Sequence, residues 1–125
     1  MLNIAICDDD DLIAHQIESV LHNIGDEENV KIDTDVFYSG NDLVREISSG
    51  KKFDLIYMDI QMENGDGITA AKNIRKKDED VMIIFHGYSA RRICTDILHV
   101  RFFSGKVTKI PLYSNILKNK TTHGV

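Results

Sequence analysis

The sequence of 125 residues contains two cysteines, one proline and no tryptophan. Cys7 and Cys94 are too few for a disulfide framework, and we predict that both are reduced thiols. No apolar run approaches the ~18 residues of a membrane-spanning helix, and the N-terminus lacks the basic flank of a signal peptide. The net charge of −5 argues against a nucleic-acid surface, which needs a clustered excess of Lys and Arg. We therefore expect a cytoplasmic protein that binds neither membranes nor nucleic acid directly.

The length of the chain corresponds to about one domain, because single domains usually have ~100–200 residues. Such a chain is long enough to bury one hydrophobic core. No internal repeat or low-complexity linker divides it. We place one domain at residues 1–118 and a C-terminal tail at residues 119–125.

Four segments of the sequence have the character of β-strands. Leu2–Cys7, Phe53–Met58 and Val81–Phe85 are nearly continuous apolar runs, which are typical of strands buried on both faces of a parallel sheet. Val30–Tyr38 instead alternates between apolar and polar residues, which predicts a half-exposed strand near a sheet edge.

In chain order, a helical pattern follows each of the first three predicted strands. Apolar residues recur at three- and four-residue steps between Leu12 and Ile24, and Gly25 is suited to end that helix. Ser39 or Asn41 can cap a second helix, and Asp66 can open a third. The inward side of the third helix is predicted to contain Ile68, Ala71 and Ile74, and its outward side Lys72, Arg75 and Lys76.

The last third of the sequence has weaker patterns. Ala90–Leu98 is a helix candidate, and Val100–Phe103 together with Lys106–Ile110 forms a fifth strand candidate with an interruption. Residues 112–117 predict a short terminal helix. Strands and helices thus alternate about five times, which predicts a doubly wound α/β fold with a parallel sheet and an irregular C-terminal part.

Three carboxylates follow two of the predicted buried strands. Asp8 and Asp9 come directly after the first apolar run, and Asp59 comes directly after the Phe53–Met58 run. If the two strands are neighbours, their carboxyl ends bring these charges together at one edge of the sheet. Such a cluster is costly without a cation, and oxygen ligands suit a hard ion such as Mg²⁺. The sequence therefore predicts a Mg²⁺ site that handles phosphate.

The residues at these strand ends resemble a known family. Ile6–Asp10, then Asp59–Met62, then Asp66 with Gly67 are similar in order and spacing to the receiver domain of bacterial two-component response regulators. The resemblance covers most of residues 1–89. It implies a flavodoxin-like, five-stranded parallel sheet with strand order 2-1-3-4-5. Asn3–Asp10 and Phe37–Gly40 are most similar to receivers that precede LytTR-type DNA-binding domains.

The resemblance implies a role for each site residue. Asp59 matches the phosphoacceptor, which takes a phosphoryl group from the phosphohistidine of a sensor histidine kinase. Asp9 matches the direct Mg²⁺ ligand, and Asp8 matches its neighbour that helps through water or hydrogen bonding. Gln61 would supply a backbone carbonyl to the metal. Lys109 matches the lysine whose ammonium pairs with a phosphoryl oxygen.

The sequence also departs from the family pattern. His86 stands where the family has a Thr or Ser hydroxyl that contacts the phosphoryl group, and Ser89 is a conceivable substitute. Imidazole can donate one hydrogen bond, but it is bulkier than a hydroxyl. Glu63 stands where the family has a proline, and Ile110 separates Lys109 from the proline that usually follows the lysine directly.

Three hypotheses follow from these observations. The first is a receiver that is phosphorylated on Asp59 with Mg²⁺ and signals through partner binding or a homodimer. The alternative is a pseudo-receiver, an interaction module that keeps the fold without switching, which the His86 departure motivates. A phosphatase of the haloacid dehalogenase type is disfavoured, because it needs an acid two residues after the nucleophile and this chain has Gln61. Any enzymatic activity would be limited to self-phosphorylation and self-dephosphorylation at Asp59.

Overall fold

Strands and helices alternate along the chain in the computed structural model, which describes residues 1–62, 66–86 and 100–103. The elements are β1 (Leu2–Cys7), α1 (Asp11–Glu28), β2 (Ile32–Phe37), α2 (Gly40–Ser48), β3 (Leu55–Asp59), α3 (Gly67–Arg75), β4 (Met82–His86) and β5 (Val100–Phe103). The predicted helix over Ala90–Leu98, the predicted helix over residues 112–117 and the tail at 119–125 lie outside the described residues.

The strands form one parallel sheet in which β2, β1, β3 and β4 are successive neighbours. This order confirms the predicted α/β class and the predicted arrangement of the first four strands. Among the described strands β2 pairs with β1 alone, as its alternating sequence predicted. Val100–Phe103 pairs with β4 in parallel, whereas residues 106–110 of the predicted fifth strand lie outside the described part.

Hydrophobic side chains pack on both faces of the sheet, because successive residues of a strand point to opposite sides. One cluster packs α2 and α3 against residues such as Ala5, Cys7, Met58 and Phe85. The other packs α1 against the alternate residues of the same strands, including Tyr57. Each fully buried large side chain contributes about 1.5–3 kcal/mol relative to its exposed state. Buried β1 and β3 therefore form the rigid centre from which the site residues extend.

The first helix ends later than predicted. Gly25 was predicted as its stop, but α1 continues to Glu28 and ends at Asn29, whose φ of 56° is left-handed. Asparagine is one of the few residues besides glycine that adopts this conformation readily. Gly25 lies buried inside α1, where a Cβ would stand 2.6 Å from the carbonyl oxygen of Val30. The glycine is therefore required by the close return of the chain into β2.

The predicted helix starts are confirmed for α2 and α3. The Ser39 hydroxyl accepts the backbone N–H of Asp42 at 3.1 Å, and the Asp66 carboxylate accepts that of Thr69 at 2.7 Å. Each of these bonds satisfies a backbone donor that the first turn of a helix leaves without an internal partner. Both helices therefore begin at fixed positions beside the carboxyl edge of the sheet.

The prediction that Arg75 faces outward was wrong. Lys72 and Lys76 are exposed, but Arg75 is half-buried, and its guanidinium donates to the backbone carbonyls of Asp78 and Glu79 at 3.3 and 3.2 Å. Burial lowers the pKa of this guanidinium. A helical periodicity shows which side a residue occupies, but it cannot show that the following loop folds back over the side chain.

None of the helices in the described part of the chain combines the length and hydrophobicity that a membrane-spanning segment requires.

Candidate metal centre

Asp8 lies directly after β1 and is almost completely buried, with 1% of its surface exposed. Its backbone N–H donates to the carbonyl oxygen of Phe37 at 3.0 Å, which ties the end of β1 to the end of β2. Its Oδ1 accepts the N–H of Asp10 at 2.8 Å. Asp10 in turn caps α1 by accepting the N–H groups of Leu12 and Ile13. The short turn between β1 and α1 thereby holds the Asp8 carboxylate in one orientation.

Asp59 is the last residue of β3 and is partly buried. The register of the sheet pairs Cys7 with Met58, so that the residues following them, Asp8 and Asp59, lie at the same edge. The Oδ1 of Asp59 accepts the backbone N–H of Gln61 at 3.2 Å. This bond fixes one carboxylate oxygen from within its own loop.

The carboxylates of Asp8, Asp9 and Asp59 form one cluster. One oxygen from each lies within 4.8 Å of the others, with Asp8 buried, Asp59 partly buried and Asp9 exposed. The prediction that the two strand ends meet is therefore confirmed by the geometry. Among the described residues no second group of three His, Cys, Asp or Glu side chains comes this close.

The cluster disfavours its own ionisation. Burial raises the pKa of Asp59 to about 6, and the charges of Asp8 and Asp9 add to the rise. Backbone N–H groups that donate to Asp59 act in the opposite direction. Burial likewise raises the pKa of Asp8, partly opposed by the N–H of Asp10. A group that must be charged in such surroundings is stabilised by a cation placed among the oxygens.

The donor set fits Mg²⁺. Three carboxylates and no sulfur or imidazole group form the cluster, and hard divalent ions prefer such oxygen ligands. Mg²⁺ usually keeps several waters and takes only one or two carboxylates directly. Spacing of the oxygens up to 4.8 Å is therefore compatible with some direct and some water-mediated ligands. Asp9, being exposed, lies on the solvent side of the cluster.

The other three predicted site residues are Gln61, His86 and Lys109, and the structure describes the positions of the first two. Gln61 is exposed and its N–H is bound to Asp59, whereas a role for its carbonyl stays a prediction. His86 is the β4 residue paired with Asp59 in the register. It therefore lies on the side of β3 opposite to β1. Lys109 lies outside the described residues, so its position relative to Asp59 stays a prediction.

Sequence reasoning missed the tight contact between Asp59 and the start of α3. Gly67, the first residue of that helix, packs against the Asp59 backbone so closely that a Cβ there would lie 2.1 Å from the carbonyl oxygen. The sequence predicted only that Asp66 begins this helix. It carried a signal for close approach of two backbone segments, but not the identity of the partner.

The thiol beside the cluster has no catalytic character. Cys7 is buried, and burial with the neighbouring charge of Asp8 raises the pKa of its thiol to about 12. It therefore stays protonated at neutral pH, whereas reactive cysteines are thiolates. Its Sγ contacts the Sδ of Met62 at 3.7 Å, which joins β1 to the loop after Asp59. The structure supports the prediction that Cys7 is a packing thiol.

Comparisons with known proteins agree with this architecture. Residues 4–100 match the family model described as "Response regulator receiver domain". No curated protein sequence matches the chain. Among solved structures, a sensor protein from Polaromonas sp. JS666 superposes with a TM-score of 0.80 at 19% sequence identity, covering 97% of this chain and 97% of that chain.

Two further solved structures are similar. The N-terminal domain of a response regulator/sensory box/GGDEF 3-domain protein from Carboxydothermus hydrogenoformans has a TM-score of 0.79 at 20% identity, covering 98% of this chain and 96% of that one. The receiver domain of a sensor histidine kinase from Pseudomonas aeruginosa PAO1 has a magnesium ion coordinated in its active-site cleft. It has a TM-score of 0.76 at 20% identity, covering 94% of this chain and 95% of that one. At these identities the likeness establishes the fold alone.

Proposed function

This chain belongs to the family of response regulator receiver domains, which act in two-component signalling, and from that premise we propose that Asp59 is its phosphoacceptor. The observation that carries the proposal is the meeting of Asp8, Asp9 and Asp59 within 4.8 Å at the carboxyl edge of the sheet. The donor would be the phosphohistidine of a sensor histidine kinase. The phosphorylated receiver would then signal by binding a partner or by forming a homodimer.

The proposed reaction is a transfer between two nucleophiles. A carboxylate oxygen of Asp59 attacks the phosphorus, the P–N bond to the donor imidazole breaks, and the leaving nitrogen takes a proton from solvent. Asp8, Asp9 and Asp59 would hold Mg²⁺, and the bound ion would neutralise negative charge on the phosphoryl oxygens. The N–H of Gln61 holds Asp59 in place through its bond to Oδ1.

Two further residues are proposed to contact the phosphoryl group. Lys109 would pair its ammonium with a phosphoryl oxygen, as the family resemblance implies. His86 would serve as a hydrogen-bond donor on the side of β3 away from β1, which is supported by its register partner Asp59.

Labelling with a small phosphodonor tests the proposal. Wild-type protein incubated with acetyl phosphate and Mg²⁺ should gain the mass of one phosphoryl group, and Asp59→Asn should gain none. Asp54→Asn is the matched control, because Asp54 precedes β3 at its other end and accepts the N–H of Asn3 there. Labelling of Asp59→Asn at the wild-type level, or no labelling of wild type with Mg²⁺ present, contradicts the proposal.

A second candidate is the pseudo-receiver, which keeps the fold but does not switch. His86 favours it, because the family pattern has a small hydroxyl at that position and an imidazole is bulkier than a hydroxyl. The two candidates differ in the response to phosphorylation. A switching receiver changes its amide NMR spectrum beyond the site on labelling, whereas a pseudo-receiver shows changes only near Asp59 or takes no label. Replacement of His86 by Thr should enlarge the spectral response if the imidazole limits switching.

The cellular location and the type of output domain are also proposals. A cytoplasmic location agrees with partnership with a histidine kinase. From the resemblance of Asn3–Asp10 and Phe37–Gly40 to receivers that precede LytTR-type domains, we propose an output domain of that type. Co-expression of the receiver with a LytTR-type domain, with and without Asp59→Asn, tests whether phosphorylation controls their association.

A further inference from the structure

The first residue of α3 lies against the backbone of Asp59. An ideal Cβ built on Gly67 would stand 2.1 Å from the Asp59 carbonyl oxygen, 3.0 Å from its carbonyl carbon and 2.9 Å from the Cγ of Met58. Real Cβ atoms essentially never approach a heavy atom closer than 3.0 Å. Glycine is therefore the only residue that this arrangement accommodates without displacement of one of the two segments.

The start of α3 is bonded to the segment after Asp59 and is capped within its own first turn. The Gly67 N–H donates to the carbonyl oxygen of Ile60 at 2.9 Å. The Asp66 carboxylate accepts both the N–H and the hydroxyl of Thr69, at 2.7 and 3.1 Å. Ala71, on the first turns of the helix, is fully buried against the sheet. The helix therefore cannot move away from Asp59 without breaking the bond between Gly67 and Ile60 or opening the core.

We infer that Gly67 is a positioning residue for Asp59. By letting the first turn of α3 lie on the Asp59 carbonyl, it fixes the distance of the Asp59 carboxylate from Asp8 and Asp9. This inference rests on the proposed function of Asp59 as the phosphoacceptor. For a side chain to fit at position 67, the distance between its Cβ and the Asp59 carbonyl oxygen must increase from 2.1 Å to at least 3.0 Å. Either the start of α3 or the backbone of Asp59, which carries the nucleophile, must then move.

A displacement of Asp59 by about 1 Å would affect both Mg²⁺ binding and phosphoryl transfer at the carboxylate cluster. Mg²⁺ demands nearly ideal octahedral geometry, so that its affinity depends on where each carboxylate stands. Misplacement of a reacting group by about 1 Å can reduce a rate by about 100-fold. Gly67 thus links the position of α3 to both metal binding and phosphoryl transfer, although it contacts neither the ion nor the phosphodonor.

The direct test is Gly67→Ala, measured in two ways. Mg²⁺ affinity is obtained from a titration followed by NMR chemical shifts, and the rate of labelling by acetyl phosphate is obtained at saturating Mg²⁺. We expect the Mg²⁺ dissociation constant to rise about 5-fold or more and the labelling rate to fall about 10- to 100-fold. A purely structural role would lower stability and leave both quantities of the folded protein unchanged.

The chain offers a matched control in Gly25→Ala. Gly25 also approaches a backbone carbonyl closely, since its Cβ would lie 2.6 Å from the oxygen of Val30, but this contact lies in α1, away from Asp59. The variant should be destabilised while its folded form binds Mg²⁺ and is labelled as wild type. Equal Mg²⁺ affinity and labelling rate in Gly67→Ala and Gly25→Ala would overturn the inference.

A second pair of variants covers the case in which Gly67→Ala does not fold. Asp66→Ala removes the cap of α3, whereas Asp66→Ser removes the same charge and keeps a capping oxygen. If the fixed start of α3 positions Asp59, Asp66→Ala should weaken Mg²⁺ binding more than Asp66→Ser does. Equal binding by the two Asp66 variants would overturn the inference.

Failure of the inference is distinguishable from failure of the proposed function. If wild type binds Mg²⁺ and is labelled on Asp59, but Gly67→Ala behaves in the same way, only the role of Gly67 is wrong. If wild type is not labelled, the phosphoacceptor role is wrong and the inference is overturned with it.

Discussion

The Asp8 carboxylate lies beside Asp59 at the carboxyl edge of the sheet, where burial, and after it the charge of Asp8, raises the pKa of Asp59. The two residues are 51 positions apart in the chain and are brought together by the parallel pairing of β1 with β3. Burial and the negative charges around Asp59 are the physical reason to expect a cation at this place. They also make the protein without metal sensitive to pH in a direction that can be measured.

Stability in the absence of metal should fall as the pH rises from about 4 to about 6. Asp59 has a pKa of about 6 in the folded protein and 3.8 as its ordinary value, so that the folded state binds the proton more tightly. The stabilisation from the protonated carboxyl is complete below the ordinary value and lost by the time the pH exceeds the folded value. Asp8, whose pKa is also raised, acts in the same direction.

Asp59→Asn should remove most of this pH dependence. With a chelator at pH 7 we expect it to be more stable than wild type by about 1–2 kcal/mol, a figure reduced for solvent screening because Asp59 is only partly buried. The difference should disappear near pH 4. Urea unfolding at several pH values measures it, and parallel pH profiles for the two proteins would contradict the account.

Mg²⁺ should stabilise wild type and not Asp59→Asn. At ten times its dissociation constant, an ion that binds only the folded state adds about 1.4 kcal/mol to the free energy of unfolding. Thermal unfolding at pH 7 with increasing Mg²⁺ measures this effect. An equal increase in melting temperature for both proteins would mean that the ion binds elsewhere.

Asp9→Asn should weaken Mg²⁺ binding with little change in stability. Asp9 is exposed, so its replacement removes a proposed ligand without opening the core. We expect the dissociation constant to rise about 10-fold or more, as for the loss of other carboxylates that support a metal site. Asp33→Asn is the matched control, because Asp33 is exposed and pairs with Asn3 at the other end of the sheet. Isothermal titration of both variants with Mg²⁺ measures the two dissociation constants. Equal Mg²⁺ affinities of Asp9→Asn and Asp33→Asn would exclude Asp9 as a ligand.

Arg75→Ala should destabilise the protein by about 1–3 kcal/mol, because its charged donors satisfy carbonyls in the loop before β4. Lys72→Ala, on the exposed side of the same helix, should change stability by no more than about 0.5 kcal/mol. Urea unfolding of both variants measures the difference. Neither should alter Mg²⁺ affinity, and similar stabilities of the two would show that the guanidinium bonds contribute nothing.

The acidic cluster could be predicted from the sequence because it follows from a local pattern and from a general rule of parallel sheets. Asp8, Asp9 and Asp59 follow apolar runs directly, and parallel strands bring their carboxyl ends to one edge. The caps Ser39 and Asp66 were predictable for a similar reason, since a capping residue acts within a few positions of itself.

The errors and omissions arose from contacts between distant segments. Gly25 resembled a helix stop, but the Val30 carbonyl that requires it comes from the chain after the helix. The helical periodicity places Arg75 on an exposed side of α3, but the loop after the helix folds over its side chain. Gly67 signalled a close backbone approach, but its partner Asp59 follows from tertiary packing. Periodicity specifies which face a residue occupies, and it does not specify which carbonyl oxygen lies there.

The most direct test of the account is the location of the phosphoryl group on the chain. Wild-type protein is treated with acetyl phosphate, with Mg²⁺ or with a chelator, and the acyl phosphate is reduced with borohydride before peptide mass spectrometry. The account predicts that position 59 alone is converted to homoserine, and only when Mg²⁺ is present. Conversion at another aspartate, or equal conversion of Asp59 in the chelator sample, would contradict it.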